Sequence, residues 1–153
     1  MTRDEELELI RRNGRADALA LQERSAGLTG TELNAEDDKI PDFRAAVKQQ
    51  NMLQRKAGQT DGFVCLSSAG RVVRLIQNYD SNIFTGEPEE LPAQFRFVWS
   101  HDPAKAKPFF ASSTSYYNKG DCCLNAAGQA VRSNIDVNVY DPDVSPQFWD
   151  AAV

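Results

Sequence analysis

The sequence predicts an α+β chain, with a helical N-terminal segment followed by two small antiparallel β modules. Three observations carry this. Of the 14 aromatic residues, only Phe43 lies in residues 1–60, and the other 13 lie in residues 61–153. Charge is nearly balanced over residues 1–60, with 10 basic and 11 acidic side chains, against 7 and 11 in the rest. Within the aromatic-rich region, the same order of residues occurs twice. Gly70 and Gly128 each stand four positions before an arginine (Arg74, Arg132). An Asp-x-Asn follows (Asp80/Asn82, Asp136/Asn138), then a proline and Gln-Phe (Pro92/Gln94/Phe95, Pro146/Gln147/Phe148). These signals divide the chain into a helical region at 1–58, a first β module at 59–112 and a second at 113–153.

Thr2 followed by Glu5 is a capping-box pattern, and the acidic residues after it suit the positive end of a helix dipole. Leu7 and Ile10 supply an apolar face, and Asn13-Gly14 predicts a break or kink. A second helical segment, 15–25, sets Ala16, Leu19, Ala20 and Glu23 on one side, and Gly27 and Gly30 stop it. The run LTGTELNAEDDKI reads as loop. A helix restarts at Pro41, carries Phe43, Ala46, Val47, Gln50 and Leu53 at helical spacing, and ends at Gly58. These narrow stripes fit either packing on the chain's own β units or self-association into a bundle.

Phe63 to Leu66 is a compact apolar run, Ser67 to Gly70 a turn, and Val72 to Ile76 the returning strand. Residues 77–92 hold turn formers and two prolines and read as loop. In QFRFVWS, Phe95, Phe97 and Trp99 alternate with Gln94, Arg96 and Val98, as a half-buried strand requires. A connector follows, with a strand expected over 109–112. The last third pairs tyrosines 116 and 117 before a Gly120-Asp121 turn. A strand through Cys122 to Leu124, a turn at Asn125 to Gly128, a strand through Val131-Arg132 and an Asp- and Pro-rich run ending on Trp149 complete it.

A net charge of −5 argues against a general nucleic-acid binder, which carries a basic stripe. No apolar run reaches the roughly 18 residues of a membrane span, and the acidic start MTRDEELELI is unlike a signal peptide. Cys65, Cys122 and Cys123 lack zinc-site spacing. Adjacent cysteines lie about 3.8 Å apart at Cα, too close for the usual disulfide, so the three read as buried free thiols.

The second repeat resembles the short chitin-binding type of carbohydrate-binding module found at the ends of bacterial chitinases and cellulases. The resemblance rests on Tyr117, Gly120-Asp121, Cys122 to Leu124, Gly128, Val131-Arg132, Pro142, Pro146 and the closing Trp149. The first repeat is similar at RLIQNYDS and EPEELPAQF. The pattern departs at Val73 and Val131, where the family has a tyrosine, at Phe95 in place of the closing tryptophan, and at Ile135-Asp136 in place of an exposed Trp-Tyr pair. The layout also resembles small prophage proteins encoded beside tail-fibre genes. It implies a tandem, degenerate module in a virion protein made in the host cytoplasm. The partners implied are a cell-surface polysaccharide, further copies of the chain (a trimer, for instance) or other tail proteins, with no cofactor, metal, nucleic acid or membrane insertion.

Sugar rings offer polarised C–H groups to the negative face of an aromatic ring. Under this resemblance Trp149 is the leading platform, with Tyr140, Tyr117, Tyr79 and Phe95 as neighbours, and Asp136 as a hydrogen-bond partner for hydroxyls. Arg74 and Arg132 either pair with Asp80 and Asp136 or an acidic sugar, or stand as solvated strand residues. The other residues have a plainer reading too: the rings as core or interface, Asp136 as a turn cap. Catalysis is not expected. His101, the one histidine, sits in the turn-like SHDP, and neither an oxyanion loop nor a phosphate-cradling glycine loop is present. The function expected is glycan binding without catalysis; the alternative is a structural tail or baseplate component that keeps the module fold without binding sugar.

Overall fold

The computed structural model describes residues 2–47, 63–77, 79 and 83–152, without the side chains of 7–15, 18, 19, 46 and 47. The third helix beyond residue 47 through Gln50, Leu53 and Gly58, the Asp80/Asn82 pair, the change of composition near residues 57–61, and the side chains of Leu7, Ile10, Leu19, Ala46 and Val47 lie outside the described residues.

Thr2 caps the first helix, α1 (Arg3–Arg24), through the reciprocal pair expected: Glu5 N–H donates to Thr2 Oγ1 and Thr2 N–H to Glu5 Oε2, both at 3.2 Å. Asn13-Gly14 does not break α1, which runs unbroken for 22 residues; one interior glycine costs only about 1 kcal/mol. Among the described side chains of the helix, those of its last turn dock. Leu21 is buried with Leu33, Ile40, Val64 and Val72, whereas Ala16, Ala20 and Glu23, expected on the packed side, are exposed. The Gln22 amide clamps a strand as a backbone would, donating to Val64 O at 2.7 Å and accepting Val64 N–H at 3.0 Å. The run read as loop holds a second capped helix, α2 (Gly30–Ala35), where Thr29 and Glu32 repeat the capping box, and a 3₁₀ turn at Asp37–Lys39. The next helix, α3 (Phe43–Val47), starts two residues after Pro41, whose carbonyl accepts Leu66 N–H instead.

The fold is α+β, with two small sheets. Strands β1 (Val64–Leu66), β2 (Val72–Leu75) and β3 (Phe95–Phe97) form an antiparallel triplet. The other sheet has order β4 (Lys107–Pro108), β5 (Cys122–Leu124), β6 (Ala130–Ser133) and β7 (Trp149–Ala151), with β4 parallel to β5 and the rest antiparallel. The strand expected over 109–112 is absent; β4 precedes it, and Ser112 bridges Ser115.

The triplet β1-β2-β3 recurs as β5-β6-β7 in register. Cys65 faces Val73 as Cys123 faces Val131, and Val64 faces Arg74 as Cys122 faces Arg132, each pair 58 residues on (65 to 123, 74 to 132). Both hairpins turn on a glycine with positive φ (82° at Gly70, 77° at Gly128), a backbone state that favours glycine. The likeness begins upstream of the hairpins. A 3₁₀ turn at Asp37–Lys39 leads to a bridge between Asp42 and Leu66, followed by Phe43. Likewise a 3₁₀ turn at Pro103–Lys105 leads to β4 and then Phe109, 66 residues on (43 to 109). Phe95 faces Leu75 as Trp149 faces Ser133. Phe95 therefore corresponds to Trp149, and the Gln-Phe match in the sequence is one residue out of register.

The two units join through rings. Phe97, Trp99, Tyr117 and Phe109 form a stacked column, with centroids 5.7, 4.3 and 5.5 Å apart and neighbouring planes within 18° of parallel. Phe43 meets Phe95 edge-on at 5.7 Å, and Phe109 meets Trp149 edge-on at 6.0 Å. One apolar cluster thus runs from Phe43 to Trp149.

Candidate functional site

Four of the six residues assigned to sugar contact are core. Tyr117 and Phe95 are 0% exposed, Tyr79 5% and Trp149 7%. A stacking platform needs an accessible ring face, and here those faces meet other rings: Tyr117 meets Trp99, Phe109 and Trp149, and Tyr79 meets Phe84, Phe43 and Phe95. The plainer reading holds for these four. Arg74 is also buried, donating to Ser25 O at 2.8 Å and Leu28 O at 2.7 Å, where it closes the end of α1. Its counterpart Arg132 donates to His101 O at 3.2 Å.

Tyr140 and Asp136 are exposed, and both lie on the loop between β6 and β7. The loop is held from beneath by Asn138, which is fully buried. Its amide donates to Ser133 Oγ at 2.9 Å and Phe148 O at 3.2 Å and accepts Tyr140 N–H at 3.0 Å, while its backbone pairs with Tyr117. Trp149 contributes from the core, its indole N–H donating to Tyr140 O at 2.9 Å. Trp149 is therefore a core residue that holds the Tyr140 backbone, not an open platform. The Tyr140 ring stacks on Phe148 at 4.5 Å and 28°, and the residue remains 46% exposed. Of the six exposed large hydrophobics among the described residues, four (Val137, Val139, Tyr140, Val144) belong to this loop. Apolar exposure is thus concentrated on this segment. Asp136 accepts Lys119 N–H, 17 residues away, through Oδ1 at 3.1 Å, so it ties two loops together rather than capping its own turn, and its second oxygen has no partner among the described residues.

Val137 has φ of +51°, a left-handed state that costs a β-branched residue about 1–2 kcal/mol. Its N–H donates to Asn118 Oδ1 at 3.2 Å, and the Asp136 and Asn138 side chains on either side are also hydrogen-bonded. Val137→Asn, which relieves that state at an exposed position, is expected to stabilise the protein by about 1 kcal/mol. Urea denaturation reads this directly; an unchanged midpoint would show that the loop is not strained there.

The three cysteines are buried and unbridged. Cys122 lies close to the histidine, but its Sγ is 3.6 Å from the His101 carbonyl and 3.7 Å from the Gly120 carbonyl, while the imidazole Nε2 faces Asp121 Oδ1 at 3.2 Å. Burial pushes all three thiols up, Cys123 to about 12, which holds them protonated at neutral pH. Burial also raises the Asp121 carboxyl, against the lowering effects of the Asn118 N–H that it accepts and of the nearby His101. No group of three or more potential metal ligands occurs among the described residues, and none of the described helices is long and apolar enough to cross a membrane.

No protein-family model, curated protein or solved structure matches this chain.

Proposed function

We propose that this is a non-enzymatic glycan-binding protein of a phage or phage-like tail, which meets host-surface polysaccharide on the Tyr140–Phe148 shelf. The observation that carries the reading is an aromatic ring held open to solvent from below, through Phe148 stacking and the Trp149 bond to Tyr140 O. A sugar's C–H face stacks on such a ring, and the free oxygen of Asp136 offers an acceptor on the same loop. The tail assignment rests on the sequence resemblance.

One such contact covers on the order of 100 Å², equivalent to roughly 2–3 kcal/mol, so single-site binding is weak and useful affinity comes from several copies acting together. Tyr140→Ala is expected to reduce retention on chitin, peptidoglycan or host cells at least about tenfold in a multivalent display. The thermal midpoint should fall only slightly, because the ring is half-exposed. The reading fails if wild-type protein is not retained on any of the three, or if Tyr140→Ala is retained equally well.

The burial of Tyr117, Phe95, Tyr79 and Trp149 favours a second reading, a structural tail or baseplate component. In that case Tyr140→Ala alters assembly with other tail proteins or further copies of the chain, and glycan retention is absent from the start.

A further inference from the structure

We infer that the chain carries a second saccharide site, distinct from the Tyr140 shelf, in the cleft where its two β units meet. This site shares only the ligand class with the proposed function and stands on different residues. The cleft has a volume of about 560 Å³ and runs along β3, with Arg96, Trp99, Ser113, Tyr116, Asn118 and Asp121 in its lining. A junction between packed units is a favoured place for a ligand site.

Its wall is built before any ligand arrives. Trp99 Nε1–H donates to Tyr116 O at 3.2 Å, Phe97 N–H to Ser115 Oγ at 2.8 Å, and Thr114 Oγ1 to Pro92 O at 2.8 Å. These bonds bolt the segment 113–118 to the first unit, so little ordering cost remains for binding. With the neighbouring Tyr117 locked in the core, Tyr116 falls on the opposite side of an extended segment, and it is 39% exposed in the cleft.

The groups that remain available select the ligand class. Asn118 uses Oδ1 to accept Val137 N–H, which leaves its Nδ2 donors without partners among the described residues; the Ser113 and Tyr116 hydroxyls are likewise unbonded there. Asp121 adds a carboxylate that already accepts His101 Nε2 and Asn118 N–H. Alternating donors and acceptors beside one open ring suit a molecule with vicinal hydroxyls on one face and C–H groups on the other. A peptide strand is disfavoured. Strand addition needs free edge N–H groups, and those of Phe95 and Phe97 on the outer edge of β3 are taken by Leu91 O at 3.0 Å and Ser115 Oγ at 2.8 Å.

The test is a ¹⁵N-resolved titration of the full chain with chitotriose, cellotriose and a soluble muropeptide, at concentrations up to about 20 mM, the range in which a single ring contact is visible. At least one sugar should shift the amides of 96–99 and 113–118 and the Asn118 side-chain amide, and should do so equally in a Tyr140→Ala background. Tyr116→Ala should weaken these shifts roughly five- to tenfold, the worth of one lost contact. Ser113→Trp, which fills the cleft from an exposed position, should abolish them, and both variants should leave the shifts at 136–140 unchanged. The inference is overturned if none of the three sugars moves the cleft resonances, or if the shifts survive Ser113→Trp. Loss of the 136–140 response alone would remove the shelf and leave the cleft standing.

Discussion

Alanine at position 117 is expected to lower the free energy of unfolding by about 3–5 kcal/mol, the range for truncating a large buried ring. Tyr117 is the largest fully buried side chain among the described residues. It lies between Trp99 at 4.3 Å and Phe109 at 5.5 Å and takes Trp149 edge-on at 5.2 Å. Its removal opens a cavity where the two units join. Total stability of about 5–15 kcal/mol is usual for a single domain, so such a loss leaves a chain that unfolds at much lower urea concentration. Tyr117→Phe separates the ring from the hydroxyl. That oxygen accepts Phe110 N–H at 3.1 Å, and its loss should cost about 1 kcal/mol. If Tyr117→Ala unfolds at the wild-type midpoint, the ring column is not what joins the units.

Gly30→Ala should destabilise the protein by about 1–3 kcal/mol, although Gly30 opens α2, where alanine is ordinarily the better helix former. The expected sign is reversed because of what the added methyl would meet. A Cβ on Gly30 would lie 2.2 Å from Trp99 O and 3.1 Å from Trp99 N. Both are backbone atoms that cannot rotate away. Moving them displaces part of the cleft lining and the ring that stacks on Tyr117, so the variant should also show altered near-ultraviolet circular dichroism. A Gly30→Ala protein as stable as wild type, or more so, would mean that α2 does not press on the backbone at Trp99, just past β3.

Much of the local structure was legible. The Thr2/Glu5 box, the alternation of Phe95, Arg96 and Phe97, and both glycine turns depend on neighbouring residues alone, and each is present. The second capping box, Thr29 with Glu32, has the same signature and was legible too, but the polar residues around it read as loop. The upstream start of each unit was hidden because it rests on a single bridge at Asp42 and a two-residue strand at Lys107–Pro108, which leave no periodicity. Gln22 was hidden for another reason: a glutamine that mimics a strand's backbone looks in sequence like any polar helix residue.

For the candidate sites, composition set the aromatic-rich C-terminal region apart, and the resemblance offered its rings either to a sugar or to the core. It could not separate those two outcomes, because a ring suits a sugar's C–H face and another ring's edge by the same polarity. Local pattern along the chain determined the α+β class, the hairpins and their recurrence. Tertiary packing alone decided that Tyr117, Phe95, Tyr79 and Trp149 face inward while Tyr140 and Tyr116 face water, since accessibility depends on what residues distant in sequence bring against each ring.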